Sequence, residues 1–103
     1  MYARLTTLEA PSDRIDDTRS YAEEQVLPQL QQTEGFKGFI VLGDRQSGKV
    51  RTVGLWESQE ALRATEEAAS GVRGEVEEAV GGRVADIERY EVFVFEVEAN
   101  LKQ

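Results

Sequence analysis

The chain has 103 residues, 40% hydrophobic and 31% charged, which is enough for one small domain with a single core. Its formal net charge of −8, with no run of lysine or arginine, argues against nucleic acid or an anionic membrane surface as a partner. Without a histidine or a cysteine, it can build no Ser-His-Asp triad, thiol nucleophile, disulfide or zinc site with nitrogen or sulfur ligands.

Tyr2 to Leu8 alternates weakly and carries β-favouring residues, which predicts a first strand. Ala10-Pro11-Ser12-Asp13 is a helix start, with Ser12 or Asp13 able to cap. Ile15, Ala22, Val26 and Leu30 then form one helical stripe. Pro28 lies inside this helix and predicts a kink near Glu24, and Gly35 ends the segment. Phe36 to Gly43 and Lys49 to Glu57 read as two strands joined by the polar turn Asp44-Arg45-Gln46-Ser47-Gly48. On the second of them, Val50 and Trp56 face one way, Val53 and Leu55 the other. Ser58 is placed to cap a helix carrying Ala61, Leu62, Ala64 and Ala68. Ser70-Gly71 predicts a break, and Val72, Val76 and Val80 a further short helix ending at Gly81-Gly82. The last strand is predicted from about Arg83 to Val97, with Tyr90, Val92 and Val94 on one face and Phe93, Phe95 and Val97 on the other.

Strand, helix, strand, strand, helix, strand is the split βαβ order of a ferredoxin-like α+β fold, with helices on one face of an antiparallel sheet. The second face of such a sheet is expected to be polar. Here the second and fourth strands are apolar on both sides. A second copy of the chain is the simplest cover, so a homodimer is expected. No apolar run approaches the roughly 20 residues that span a bilayer, and Met1 to Thr7 lacks the apolar stretch of a signal peptide. A cytoplasmic location is therefore expected.

Four stretches carry a family likeness: Val26-Leu27-Pro28, Gly35-Phe36-Lys37-Gly38, Gly43-Asp44-Arg45 with Gly48, and Leu55-Trp56-Glu57-Ser58-Gln59-Glu60-Ala61-Leu62. In them the chain resembles the dimeric α/β-barrel superfamily, in particular the antibiotic-biosynthesis-monooxygenase-like domains, over residues 1–103 as a single domain. The resemblance implies sheets paired back to back in a dimer and a pocket between sheet and helices. It implies either oxidation of an aromatic, phenolic or polyketide-like small molecule with no metal or flavin, or a non-catalytic binding or structural homodimer. Haem-degrading relatives use a histidine on the iron, and this chain has none. The cofactor-free oxygenases commonly place an asparagine near the pocket; the only one here, Asn100, follows the last strand and does not match, so no catalytic residue is assigned. No cofactor and no metal is expected.

Three side chains are candidates for the pocket lining. Trp56 matches the position of a pocket tryptophan near the end of the third strand, and its ring is read either as a ligand contact or as a core aromatic. Arg19 lies between Val26 and Leu30 on a helical wheel, and is read either as an anion-binding group or as a side chain snorkelling to water. Tyr90 is read at the pocket or at the dimer seam. Tyr21 falls off the stripe and is expected at the surface or a dimer contact, whereas Phe36 and Phe39 are expected in the core.

Overall fold

The computed structural model describes residues 1–98. Four antiparallel strands, β1 (Tyr2–Glu9), β2 (Phe36–Gly43), β3 (Lys49–Trp56) and β4 (Arg83–Glu91), form one sheet in the order β2-β3-β1-β4. The helical segments are α1 (Ile15–Tyr21), α2 (Leu27–Gln31), α3 (Gln59–Ala64) and α4 (Glu66–Val80). This is the expected ferredoxin-like α+β arrangement. Cross-strand registers divide the sheet into two faces. Arg4, Gly54 and Phe39 align on one face, as do Leu8 and Val50 with Val84. Leu5, Val53 and Ile40 align on the other.

The β2–β3 turn closes as its residues dictate. The Asp44 carboxylate accepts from the Gln46 N–H at 3.0 Å and the Ser47 hydroxyl at 3.1 Å. These bonds, that to Gln46 foremost, hold it below its ordinary pKa. Gly48 takes a φ of +80°, and a Cβ there would stand 2.0 Å from the Ala10 carbonyl oxygen, so only glycine fits.

The first helical stretch differs from a simple kinked helix. A 3-10 turn, Ser12–Arg14, leads into α1 without any side-chain cap from Ser12 or Asp13. A π turn, Ala22–Val26, then separates α1 from α2. Pro28 is the physical cause: it offers no N–H to the Glu24 carbonyl, and its ring crowds that carbonyl. The wider turn, in which the Leu27 N–H reaches the Ala22 carbonyl, relieves both.

Two further expectations are corrected. Helix α4 runs unbroken through Ser70-Gly71, and the break falls at Thr65 instead. The Thr65 hydroxyl donates to the Leu62 carbonyl at 2.7 Å and accepts from Arg4, an arrangement that competes with a regular helical turn. Strand β4 stops at Glu91, not Val97. Its neighbour β1 starts at Tyr2, opposite Glu91, and the Val92 N–H makes a last bond to the Met1 carbonyl. Residues 92–98 leave the sheet with Phe93 88% and Val94 85% exposed. Asn100 lies outside the described residues. Ser58 caps α3 as expected, its Oγ accepting from the Ala61 N–H at 3.1 Å, and Gly81 ends α4 in the left-handed conformation. Among the described residues no helix is long and apolar enough to cross a membrane.

Candidate functional site

A cavity of about 140 Å³ lies between the sheet and the helices. The sheet contributes alternate residues of β1 and β3, Arg4, Thr6 and Leu8 with Val50, Thr52, Gly54 and Trp56, because one face of a strand repeats every second residue. Helix α4 adds Ala69, Val72, Arg73 and Val76 at helical spacing. The first helical stretch adds Thr18, Tyr21, Ala22, Val26, Gln29 and Leu30.

That last set depends on the π turn. An α-helix advances about 100° per residue. On a straight wheel, Tyr21 and Gln29 fall toward one edge of the stripe, while Leu30 and Arg19 fall on the other. One extra residue in the π turn rotates everything after it by roughly 100° relative to everything before. Val26, Gln29 and Leu30 thereby come into line with Thr18, Tyr21 and Ala22, and Arg19 is left outside. The structure accordingly places Tyr21 on the cavity, where it also packs against the Leu8–Val50–Val80 cluster, rather than at the surface.

Of the three candidate side chains, Trp56 alone lines the cavity. Arg19 is 67% exposed and sits over a separate outer groove beside Asp16. Tyr90 is 54% exposed on the opposite face of the sheet, aligned with Ala3 and Leu55. Its hydroxyl donates to Glu88, and that carboxylate holds the phenol above its ordinary pKa.

Trp56 is fully enclosed, at 0% exposure. Its indole N–H donates to the Thr33 hydroxyl at 3.0 Å, and Phe36 meets it edge-on at 6.1 Å between centroids. The ring lies against Gly54, where a Cβ would come within 2.7 Å of it. The Arg4 guanidinium stands 4.8 Å above the ring centroid. Most of what surrounds this ring is therefore protein.

Arg4 is the residue that sequence reasoning missed. It is only 6% exposed, and its Nη1 donates to Thr65 Oγ1 at 2.9 Å and Glu66 Oε1 at 3.1 Å. Burial is the main cause that lowers its pKa, opposed by the Glu66 carboxylate. Glu66 also accepts two bonds from Arg89, which, ahead of Arg4, hold its carboxyl below the ordinary value. Behind one end of the cavity wall, Arg4 and Arg89 thus gather around the single Glu66 carboxylate. The only signal for it in the sequence is that Arg4 shares a strand face with Thr6 and Leu8. Its partners lie 61 and 62 residues away.

Among the described residues no aspartate or glutamate lines the cavity, so none of them offers a carboxylate base to a ligand there. The lining does not fit haem. The cavity volume suits a single ring, since an apolar cavity of about 150 Å³ accommodates benzene, and among the described lining residues there is no histidine, cysteine or methionine, Tyr21 being the one side chain of a type that ligates haem iron. Among the described residues no cluster of acidic side chains is arranged to hold a metal ion.

No family model matches the chain. It is 37% identical over 92 residues to the uncharacterized protein Rv2557 of Mycobacterium tuberculosis, a match that takes in 89% of this chain but 41% of that protein. The chain thus spans about two fifths of the length of this curated relative. In three dimensions it is similar to the monooxygenase from ActVA-Orf6 of Streptomyces coelicolor, whose structure holds nanaomycin D. That likeness has a TM-score of 0.73 at 12% identity, over 95% of this chain and 92% of that one. It is also similar to the haem degrader MhuD of Mycobacterium tuberculosis, which holds two haems in its active site. Here the TM-score is 0.72 at 20% identity, over 94% and 100% of the two chains.

Proposed function

Because the chain has the fold of the antibiotic-biosynthesis-monooxygenase-like proteins, we propose that it takes a small phenolic aromatic molecule into the cavity and promotes its oxygenation without a cofactor. The observation that carries this reading is the cavity itself: a largely apolar chamber of single-ring size with guanidiniums at one end. An electron-rich phenol needs no added reductant. Once ionised, it gives four electrons to oxygen; one oxygen atom becomes a quinone carbonyl at the ring carbon para to the hydroxyl. The other leaves as water, carrying the hydroxyl proton and the hydrogen displaced from the ring. The protein's part is to favour the ionised form by positive charge, hold the ring and keep bulk water away.

A second reading, non-catalytic binding in the same cavity, is favoured by one observation: among the described residues no carboxylate or imidazole faces the ligand to remove its proton. Trp56 is the only tryptophan and lines the cavity, so its fluorescence reports occupancy. Phenols and quinols are expected to change that fluorescence saturably, with dissociation constants of about micromolar order. Oxygen consumption with the same compounds supports the oxygenase; binding without consumption supports the binder. A broad panel of monocyclic aromatics giving neither would sink both.

The second face of the sheet supports a homodimer as the working form. Ile40, Leu42 and Tyr90 are exposed there, Ile40 aligned with Val53 and Leu5, Tyr90 with Ala3 and Leu55, and Leu42 with Arg51, and the exposed Phe93 and Val94 follow on from β4. Apolar surface of this kind is normally covered. Sedimentation equilibrium at low micromolar concentration is expected to give the dimer mass, and Leu42→Glu or Val94→Glu to shift it toward monomer. A clean monomer for the wild-type chain would rule the pairing out.

A further inference from the structure

Arg73 stands apart from the other charged groups around the cavity. It projects from α4 with Ala69, Val72 and Val76 onto the cavity wall. Its Nη1 is shielded from solvent and has no hydrogen-bond acceptor among the described residues. A buried guanidinium N–H without an acceptor is costly, because the charged group gives up water and receives nothing in return. The acceptors nearby are already engaged. The Thr65 hydroxyl and Glu66 take Arg4, and Glu66 also takes Arg89. That leaves three arginines, Arg4, Arg73 and Arg89, to one carboxylate. The positive charge of Arg73 is felt at Arg4, whose pKa it helps to lower. Of the three, Arg4 and Arg73 line the apolar chamber itself, and their positive charge is suited to an anion that arrives with the ligand.

We propose that Arg73 is the anion seat of this cavity, and that the ligand is a monocyclic aromatic anion whose carboxylate or phenolate oxygen accepts from Nη1. The inference rests on the reading of the cavity as the ligand site. Three features support it together. The volume of about 140 Å³ admits one ring. The wall that Leu8, Val26, Leu30, Phe39, Val72 and Val76 provide takes the ring itself. The guanidinium offers a planar donor pair that matches a carboxylate better than an ammonium would.

Calorimetry with matched pairs of probes tests this. Benzoate against benzamide isolates a carboxylate, and 4-cyanophenol above and below its own pKa isolates a phenolate. In at least one pair the anion is expected to bind about ten- to hundredfold more tightly than its neutral partner, the range for a hydrogen bond to a charged group. Arg73→Gln is expected to abolish that preference while leaving the affinity for the neutral ring. Arg73→Lys, which keeps the charge and loses the fork, is expected to give a preference in between. Neutral and anionic probes binding wild type equally would overturn the anion seat and leave the cavity reading standing. So would a preference that survives in folded Arg73→Gln. If no ring of either kind binds wild type, the cavity reading falls and the anion seat with it.

Discussion

Trp56→Ala is expected to destabilise the chain by about 4–5 kcal/mol, the upper part of the range for removing a buried large aromatic. The ring has no exposed surface, and four groups lose a contact at once. Phe36 loses its edge-to-face partner, Thr33 its indole donor, Arg4 the ring beneath its guanidinium, and Gly54 the group that covers it. A domain of this size has roughly 5–15 kcal/mol in all, so the variant would sit near the threshold of folding. Urea unfolding followed by far-ultraviolet circular dichroism measures the loss. Trp56→Phe keeps an apolar ring and removes the N–H bond to Thr33; it is expected to cost about 1–2 kcal/mol. A loss below about 2 kcal/mol for the alanine variant would show that the ring is not the keystone its contacts indicate.

Much of this architecture was legible because it is written in local patterns. The two strands around Asp44–Gly48 announce themselves by β-rich runs on either side of a polar turn, and Gly48 is required by a backbone conformation. Ser58 before Gln59 is a cap that the structure uses. The end of β4 was not legible, since Val92 to Val97 is as rich in β-favouring residues as any strand; the ladder with β1 nevertheless ends at the Tyr2–Glu91 pair. The break between α3 and α4 was misplaced for a similar reason. Ser70-Gly71 has the composition of a break, yet the helix is interrupted where the Thr65 hydroxyl is drawn between Arg4 and the Leu62 carbonyl.

The candidate site was harder to read than the fold, and the reasons are specific. Trp56 is found from its place at the end of β3, a local feature. Arg4, Thr65, Glu66 and Arg73 meet only after the β1–β3 register and the docking of α4 are fixed, so no spacing in the sequence joins them. Arg19 and Tyr21 exchange places between cavity and surface because a straight helical wheel omits the residue that the π turn inserts. Pro28 was the clue: a proline late in a helix disturbs the turn before it, and the disturbance here takes the form of a rotation.

Glu66→Gln is expected to cost about 2–3 kcal/mol at neutral pH, below the roughly 3–5 kcal/mol for breaking a fully buried pair because Glu66 itself is only half-buried. The loss comes from what is left behind. Arg4 is buried, and the neutral amide can still accept from it but no longer offsets its charge, while Arg73 and Arg89 contribute like charge to its surroundings. The pH dependence has a definite sign. Bonds from Arg89 first, then the Arg4 charge, lower the Glu66 carboxyl below its ordinary value of 4.5 in the folded chain. A carboxylate with a depressed folded pKa stabilises fully above the unfolded value, and that contribution is lost as pH falls from there through the folded one. Urea midpoints for wild type and Glu66→Gln should therefore differ most near neutrality and converge in acid, below the ordinary glutamate range. A difference that stays constant from neutrality into that acid range would show that the carboxylate charge is not what holds Arg4. Arg73→Gln supplies the companion test, because it removes one of the like charges. Added to Glu66→Gln it is expected to recover part of the lost stability, about 0.5–1 kcal/mol in a double-mutant cycle. No coupling between the two positions would place Arg73 outside the electrostatic cluster around Glu66.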